Sequence, residues 1–379
     1  MRHETWSAPF GSSHVEFGAG ALERLGPLAQ RLGGRRALLV TDPGIRAAGH
    51  VDRAVGSLRG ERIEVTVFDG VEENPTTKHV EAGAQCARET GADLLVGLGG
   101  GSAMDCAKGI NFVVTNGGPL ESYWGTNLAT RPMLPSIGVP TTAGTGSESQ
   151  SYALIEQENT RRKMACGDDK ARFRAIILDP DLTASLPRRV AATSGMDAIS
   201  HAVESFVTTR RNPLSTLFAR EAWRLLSDNL ERVLGQPGDA EARGAMLLGA
   251  HLAGMAIECS MLGAAHACAN PLTARHGITH GSAVLLLLPH VVRFNEAAVG
   301  ALYDELSGGD GGGGGRTPLH ERLQALRAVA GLPERLRDCA VPHDSLPALA
   351  REAAEQWTAR FNPRPVGERE LLELYEAAW

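Results

Sequence analysis

The sequence predicts an α/β N-terminal domain with a mainly parallel sheet, followed by an all-α C-terminal domain. Three observations predict it. Short β-branched runs alternate with helical stretches up to about residue 187, which is the texture of a parallel α/β sheet. After Leu186-Pro187 the apolar positions recur at helical spacing, alanine becomes frequent and strand-like runs nearly vanish. A chain of 379 residues also exceeds what one hydrophobic core comfortably serves. The expected division is therefore 1–187 and 188–379.

In chain order the strand runs are Arg36 to Thr41, Ile63 to Phe68, Asp93 to Gly97, Ser136 to Val139 and Ala175 to Leu178. Helical sequence begins in earnest at Val190. The run Ser307 to Gly315 (SGGDGGGGG) has no side chains able to bury surface, so it reads as a surface loop between two helices. The chain is 43% apolar and 22% charged, with a net charge of −6 and no basic run, so nothing marks a surface for nucleic acid or an anionic membrane. Six scattered cysteines without a CxxC pair fit a reducing compartment. Met1 to Phe17 lack the basic and apolar regions of a secretory signal, and the longest apolar run is Ala283 to Pro289, short of the roughly 18 to 20 residues of a membrane span. A cytoplasmic protein acting on small molecules is expected.

The third strand run leads into Gly97-Leu98-Gly99-Gly100-Gly101-Ser102, and Ala103 to Lys108 continue as a helix. Glycines at such a turn let backbone N–H groups approach a pyrophosphate, and the helix N-terminus adds favourable partial charge. Ser102 and Asp105 are spaced as an N-cap and N3 pair, which would start the helix at Ser102. A second loop, Pro140 to Glu148, combines Thr141, Thr142, Thr145 and Ser147 with glycine after another strand. It can cup a phosphate, ribose or nicotinamide amide, or simply cap a helix. Asp42 follows the first strand, where a carboxylate accepts both ribose hydroxyls and repels a 2′-phosphate, favouring NAD over NADP; a turn-forming Asp before Pro43-Gly44 is the rival reading.

Asp197 and His201 are four apart in a helical segment, hence on one face and able to share a cation. His266 is expected near the end of an apolar helix that Pro271 terminates or kinks, and His280 opens the next. His266 or His280 taken alone reads first as a hydrogen-bonded core residue. Together, three His and one Asp make a donor set suited to Fe²⁺ or Zn²⁺, with a position left for a substrate oxygen.

The combination of GGGSAMDCAKGI, PTTAGTGSE, GMDAISHAVE and H-x13-H resembles the iron-containing alcohol dehydrogenase family, whose fold is dehydroquinate synthase-like. The resemblance runs from Phe17-Gly18-Ala19-Gly20 through Asn74-Pro75-Thr76 to Phe361-Asn362-Pro363-Arg364. It implies a nucleotide-binding N-terminal domain, a helical metal-binding domain, and a homo-oligomer. It also implies Asp197, His201, His266 and His280 as metal ligands and Gly99, Gly100, Gly101 and Ser102 as the pyrophosphate loop. Thr141, Thr142, Thr145 and Ser147 fall in the second cofactor loop, Asp42 at the adenosine ribose and Lys163 near the nicotinamide ribose. The sequence departs from the family at Asn270, where many members carry a second His used in proton transfer; an amide cannot take up a proton at neutral pH, and His276 is the nearest substitute.

The expected activity is hydride transfer between an alcohol, or its aldehyde or ketone, and NAD(H). A polyol dehydrogenase, a metal-independent reductase and a lyase of the dehydroquinate synthase type share the fold. Against the lyase, no Lys/Arg cluster surrounds the metal motifs to clamp a phosphorylated, carboxylated substrate. An inert binding protein would not need intact ligand and glycine motifs.

Overall fold

The structure is a computed structural model that describes residues 13–308 and 317–379. Most of the glycine run Ser307 to Gly315 lies outside the described residues, as do residues 1–12 of the N-terminal stretch. The described chain forms two compact units, one ending at Leu186 and the other beginning at Pro187.

The first unit holds strands β1 (His14–Phe17), β2 (Arg36–Val40), β3 (Glu64–Phe68), β4 (Leu94–Gly99), β5 (Gly125–Thr126), β6 (Ser136–Pro140), β7 (Tyr152–Glu156), β8 (Lys163–Gly167) and β9 (Ala175–Leu178). Its helices are α1 (Leu25–Arg31), α2 (Pro43–Ala47), α3 (His50–Gly60), α4 (Thr77–Thr90) and α5 (Gly101–Asn116). Six strands form one sheet in the order β1-β9-β6-β4-β2-β3, parallel throughout. The central strands are apolar on both faces, as burial between two helical layers requires; β4 and β9 are buried at every residue.

Four strands escape the sequence reading. Edge strand β1 (HVEF) has no fully buried residue, so it carries no apolar run. The others form a small sheet in the order β5-β8-β7, in which β7 and β8 are antiparallel and bury only alternate side chains along most of their length.

The sheet reverses direction between β2 and β4. From β2 the chain moves outward to β3, whereas from β4 it moves the other way to β6. In an open α/β sheet such a reversal leaves a crevice at the carboxyl ends of the two strands, because their following connections diverge to opposite faces. Thr41-Asp42 and Gly99-Gly100-Gly101 stand at those two ends.

The second unit contains no strand among the described residues. Its helices are α6 (Arg188–Val207), α7 (Pro213–Gly235), α8 (Ala240–Cys259), α9 (Ala264–His276), α10 (His280–Leu306), α11 (Leu319–Ala330), α12 (Leu346–Ala354) and α13 (Glu368–Ala378). Helix α6 is the axis, buried at every position from Gly195 to Val207. Helix α10 extends the apolar run Ala283 to Pro289 into 27 residues, long and apolar enough by composition to cross a membrane, yet 56% of its most apolar stretch is buried inside the protein. It is the one such single helix among the described residues, and its buried side chains pack as core.

Pro271 does not end a helix. It lies inside α9, which continues to His276, so His266 occupies the first turn of α9 rather than the end of a helix. The break comes earlier, at residues 260–263, where the chain turns by 106° between α8 and α9. A proline removes one backbone hydrogen bond, which the buried packing of this helix outweighs.

Glycine at 281 sets how closely α10 approaches α6. A Cβ there would fall 2.3 Å from the Thr193 carbonyl oxygen and 3.4 Å from Asp197 Cβ. Gly281→Ala should therefore force the helices apart and cost about 1–3 kcal/mol, read by denaturant unfolding. Unchanged stability would mean that the two helices do not pack this closely.

Candidate functional site

Asp197, His201 and Glu204 project from one face of α6 at i, i+4 and i+7, within the stretch that is wholly buried. Three charged or titratable groups in an apolar interior require compensation. His266 reaches them from the first turn of α9 and His280 from the first residue of α10. The Nε2 atoms of His201, His266 and His280 lie 3.6, 3.8 and 3.9 Å from the same oxygen, Asp197 Oδ1. The rings of His201 and His266 stack with centroids 4.9 Å apart, and His280 tilts against His266 at 5.3 Å.

These separations are too long for hydrogen bonds. They approach the spacing of about 3.4 Å that neighbouring donors take around a tetrahedral cation with bonds near 2.1 Å. Ligand atoms of Asp197, His201 and His266 all lie within 4.8 Å of one another. His280 is the most accessible member, its side chain 30% exposed.

The protonation of His266 follows from its partner. Its Nδ1 lies 2.5 Å from Glu204 Oε2, and Glu204 Oε1 accepts the Ala265 backbone N–H at 2.8 Å. An ionised carboxylate only accepts, so Nδ1 is the donor, and in the neutral ring this tautomer keeps the lone pair on Nε2. That Nε2 is buried with no hydrogen-bond partner, which suits a metal ligand and would otherwise be costly. The donor set thus fits a divalent cation.

Glu204, the last residue of GMDAISHAVE and one to which sequence assigns no role, orients His266. Asn362, from the FNPR sequence, accepts the neighbouring Ala264 N–H at 3.3 Å and exchanges two hydrogen bonds with Asn295. Gly263 is confined between them, since a Cβ would lie 2.9 Å from Glu204 Oε1 and 3.1 Å from Asn362 Oδ1. The i+7 spacing of Glu204 from Asp197 was legible, but its partner lies 62 residues away.

In the first unit the glycine turn is ringed by the predicted residues. A Cβ on Gly99 would meet Asp42 Oδ2 at 3.3 Å, one on Gly100 would meet Thr142 Cγ2 at 3.4 Å, and one on Gly101 would meet Thr145 Cγ2 at 2.7 Å. Gly99 holds φ +152°, a conformation side chains rarely adopt. Asp42 serves both readings: Oδ1 caps α2 by accepting the Ile45 N–H at 3.0 Å, and Oδ2 faces the turn.

Other predicted residues are placed differently. Helix α5 starts at Gly101 with Gly100 as its N-cap and no side-chain cap, so the expected Ser102–Asp105 capping pair does not form. The Asp105 carboxylate is taken instead by the Ser147 hydroxyl and the Lys108 ammonium. Thr141 is fully buried, and its hydroxyl has no hydrogen-bond partner. Lys163 lies on β8, where its ammonium meets Asn74 Oδ1 at 3.4 Å. Asn270 donates to Gln356 Oε1 at 3.0 Å, and His276 ends α9 with its Nε2 buried and without a hydrogen-bond partner.

Glu204→Gln keeps the shape of the side chain but weakens its hold on the His266 N–H. Metal affinity should drop about 10–100-fold, measured by competition with a chromophoric chelator. Native affinity in the variant would remove Glu204 from the site.

Comparison with known proteins agrees across nearly the whole chain. Residues 12–180 match the family described as iron-containing alcohol dehydrogenase, and residues 191–379 match its C-terminal domain. The chain is 36% identical over 372 residues to 1,3-propanediol dehydrogenase of Citrobacter freundii, covering 96% of each chain. It is 30% identical to the NAD-dependent methanol dehydrogenase of Bacillus methanolicus, covering 95% of this chain and 97% of that one. A crystal structure of 1,3-propanediol oxidoreductase superposes with a TM-score of 0.95 at 34% identity, covering 99% of this chain and all of the other. The chain belongs to the iron-containing alcohol dehydrogenase family.

Proposed function

We propose that this protein is an NAD(H)-dependent dehydrogenase of small alcohols that holds one divalent metal, Fe²⁺ or Zn²⁺, on Asp197, His201, His266 and His280. The reading rests on one arrangement: three imidazole nitrogens gathered on a single buried carboxylate oxygen, with the His266 nitrogen left bare by Glu204. The relatives named as dehydrogenases support an oxidoreductase over a lyase.

When bound, the metal polarises the substrate oxygen as a Lewis acid, and the dinucleotide supplies the hydride acceptor or donor. The chain's own residues do the rest. Asp197 supplies the single negative charge of the set, which offsets half of a divalent cation. In the first unit, the N–H groups of Gly101 and Ser102, at the uncapped start of α5, receive the pyrophosphate, and Gly99 and Gly100 let it approach. Asp42 Oδ2 accepts ribose hydroxyls, favouring NAD over NADP. Thr142 and Thr145 face the glycine turn as cofactor contacts. Thr141 and Ser147 of the same loop are buried, and the Ser147 N–H donates to the Thr145 hydroxyl. Lys163 is assigned to the nicotinamide ribose through its position in the family pattern.

The hydroxyl proton must also leave. The amide of Asn270 cannot carry it. We assign its exit to water, the cofactor ribose hydroxyls and His276. Ten residues of α9 separate His276 from His266, about 15 Å of helix rise, so any relay to His276 runs through intervening water.

Purified without chelator, the protein should contain metal near one per chain and should change NADH absorbance with primary alcohols, diols or aldehydes when Fe²⁺ or Zn²⁺ is present. His266→Ala should lower metal affinity by at least about tenfold and remove the alcohol-dependent NADH signal together. Retention of both would refute the ligand set. His276→Ala should slow turnover on the order of a hundredfold at unchanged metal content, with recovery in imidazole buffer. Full turnover in that variant would leave the proton's exit to water and ribose hydroxyls alone.

A further inference from the structure

Lys108 is 1% exposed, and a buried ammonium is costly unless its three donors are satisfied. Its Nζ donates to the Ser147 carbonyl at 2.7 Å, the Ser147 hydroxyl at 2.9 Å and the Tyr152 carbonyl at 2.5 Å, and it pairs with Asp105 Oδ1 at 3.3 Å. The Ser147 hydroxyl donates in turn to that same Asp105 oxygen. Asp105, Lys108 and Ser147 therefore close a ring. Two of its members belong to α5, the helix that begins at the glycine turn, and the third belongs to the loop that carries Thr142 and Thr145.

A packing role alone does not call for this chemistry. Methionine would fill a similar volume without the desolvation penalty of a charge. What distinguishes Lys108 is where its acceptors lie. The entry of the second loop is fastened where the Thr141 N–H donates to the Gly99 carbonyl at 2.9 Å. Lys108 fastens its exit. Between these points Ser147 N–H bonds back to the Thr145 hydroxyl at 3.2 Å, so the position of Ser147 is passed to the side chain that lies against Gly101.

We infer that Lys108 is a positioning residue for the dinucleotide: it clamps the second cofactor loop to α5 and so fixes Thr142 and Thr145 over the glycine turn. It touches neither cofactor nor substrate. The inference rests on the dinucleotide reading above and adds a residue to it. Its expected signature is weaker NAD(H) binding with the metal centre, which is built in the other unit, left alone.

The test compares the native protein, Lys108→Met and the double variant Asp105→Asn/Lys108→Met, measuring NADH affinity by fluorescence, KM for NAD⁺, thermal stability and iron per chain. Lys108→Met strands the Asp105 carboxylate, so it loses stability as well as the clamp. The double variant removes both buried charges and should regain stability; if the single variant does not accumulate, the double variant carries the comparison. Support requires NADH binding about tenfold weaker than native in the double variant despite recovered stability, KM for NAD⁺ raised in parallel, and native iron content. NADH affinity that recovers together with stability would overturn the clamp and leave Lys108 a stability residue. Native protein that binds no NADH would instead defeat the dinucleotide reading, and this inference with it.

Discussion

The hydrogen-bonded pair of Glu204 and His266 is the constraint around which the helical unit is arranged. A carboxylate 3% exposed must be given donors, and it receives two, the imidazole N–H and the amide of Ala265 at the start of α9. Supplying them requires α9 to begin at this point, which requires the chain to turn sharply after α8 and to pass Gly263 through a gap too narrow for a side chain. Asn362 caps the neighbouring amide from a distant segment and is held by Asn295 of α10. Glu204 thereby ties α6 to α9, Asn362 ties α9 to α10, and the same placement gathers the three histidines on Asp197.

The first unit poses a different problem, how polar side chains are gathered around bare backbone. Its answer is topological before it is chemical. The reversal between β2 and β4 sets Asp42 and the glycine turn side by side, and the absence of side chains at residues 99–101 leaves room for Asp42, Thr142 and Thr145 to close around them. Asp105, Lys108 and Ser147 are in turn tied to one another by hydrogen bonds.

Much of this was legible in the sequence, and the exceptions share a cause. The four central strands and the long helices announce themselves because their burial pattern is continuous or strongly periodic, and edge strand β3 does so through its β-branched run. The juxtaposition of Asp197 and His201 was legible because they sit one turn apart on a helix, a local relation. The role of Glu204, the clamp on Ser147 and the uncapped start of α5 depend on partners 62, 39 and 42 residues away, which spacing cannot reveal. The Ser102–Asp105 pair had the spacing of a cap, but Asp105 found a buried cation and a hydroxyl, which outcompete a backbone amide for an ionised oxygen. On local grounds Pro271 terminates or kinks a helix; tertiary burial carries the helix on to His276, so the proline does not terminate it.

Strand β1 pairs in parallel with β9, His14 opposite Ala175 and Phe17 opposite Leu178, so the first unit is sealed by joining its earliest described segment to its last strand. Such a sheet has high contact order. During synthesis β1 has no strand to pair with until β9 is made, and this cannot happen before Leu178 has emerged, just ahead of the helices that begin at Arg188. The first unit is therefore completed late, at the moment the second starts to be made, and an exposed parallel strand is carried through translation until then.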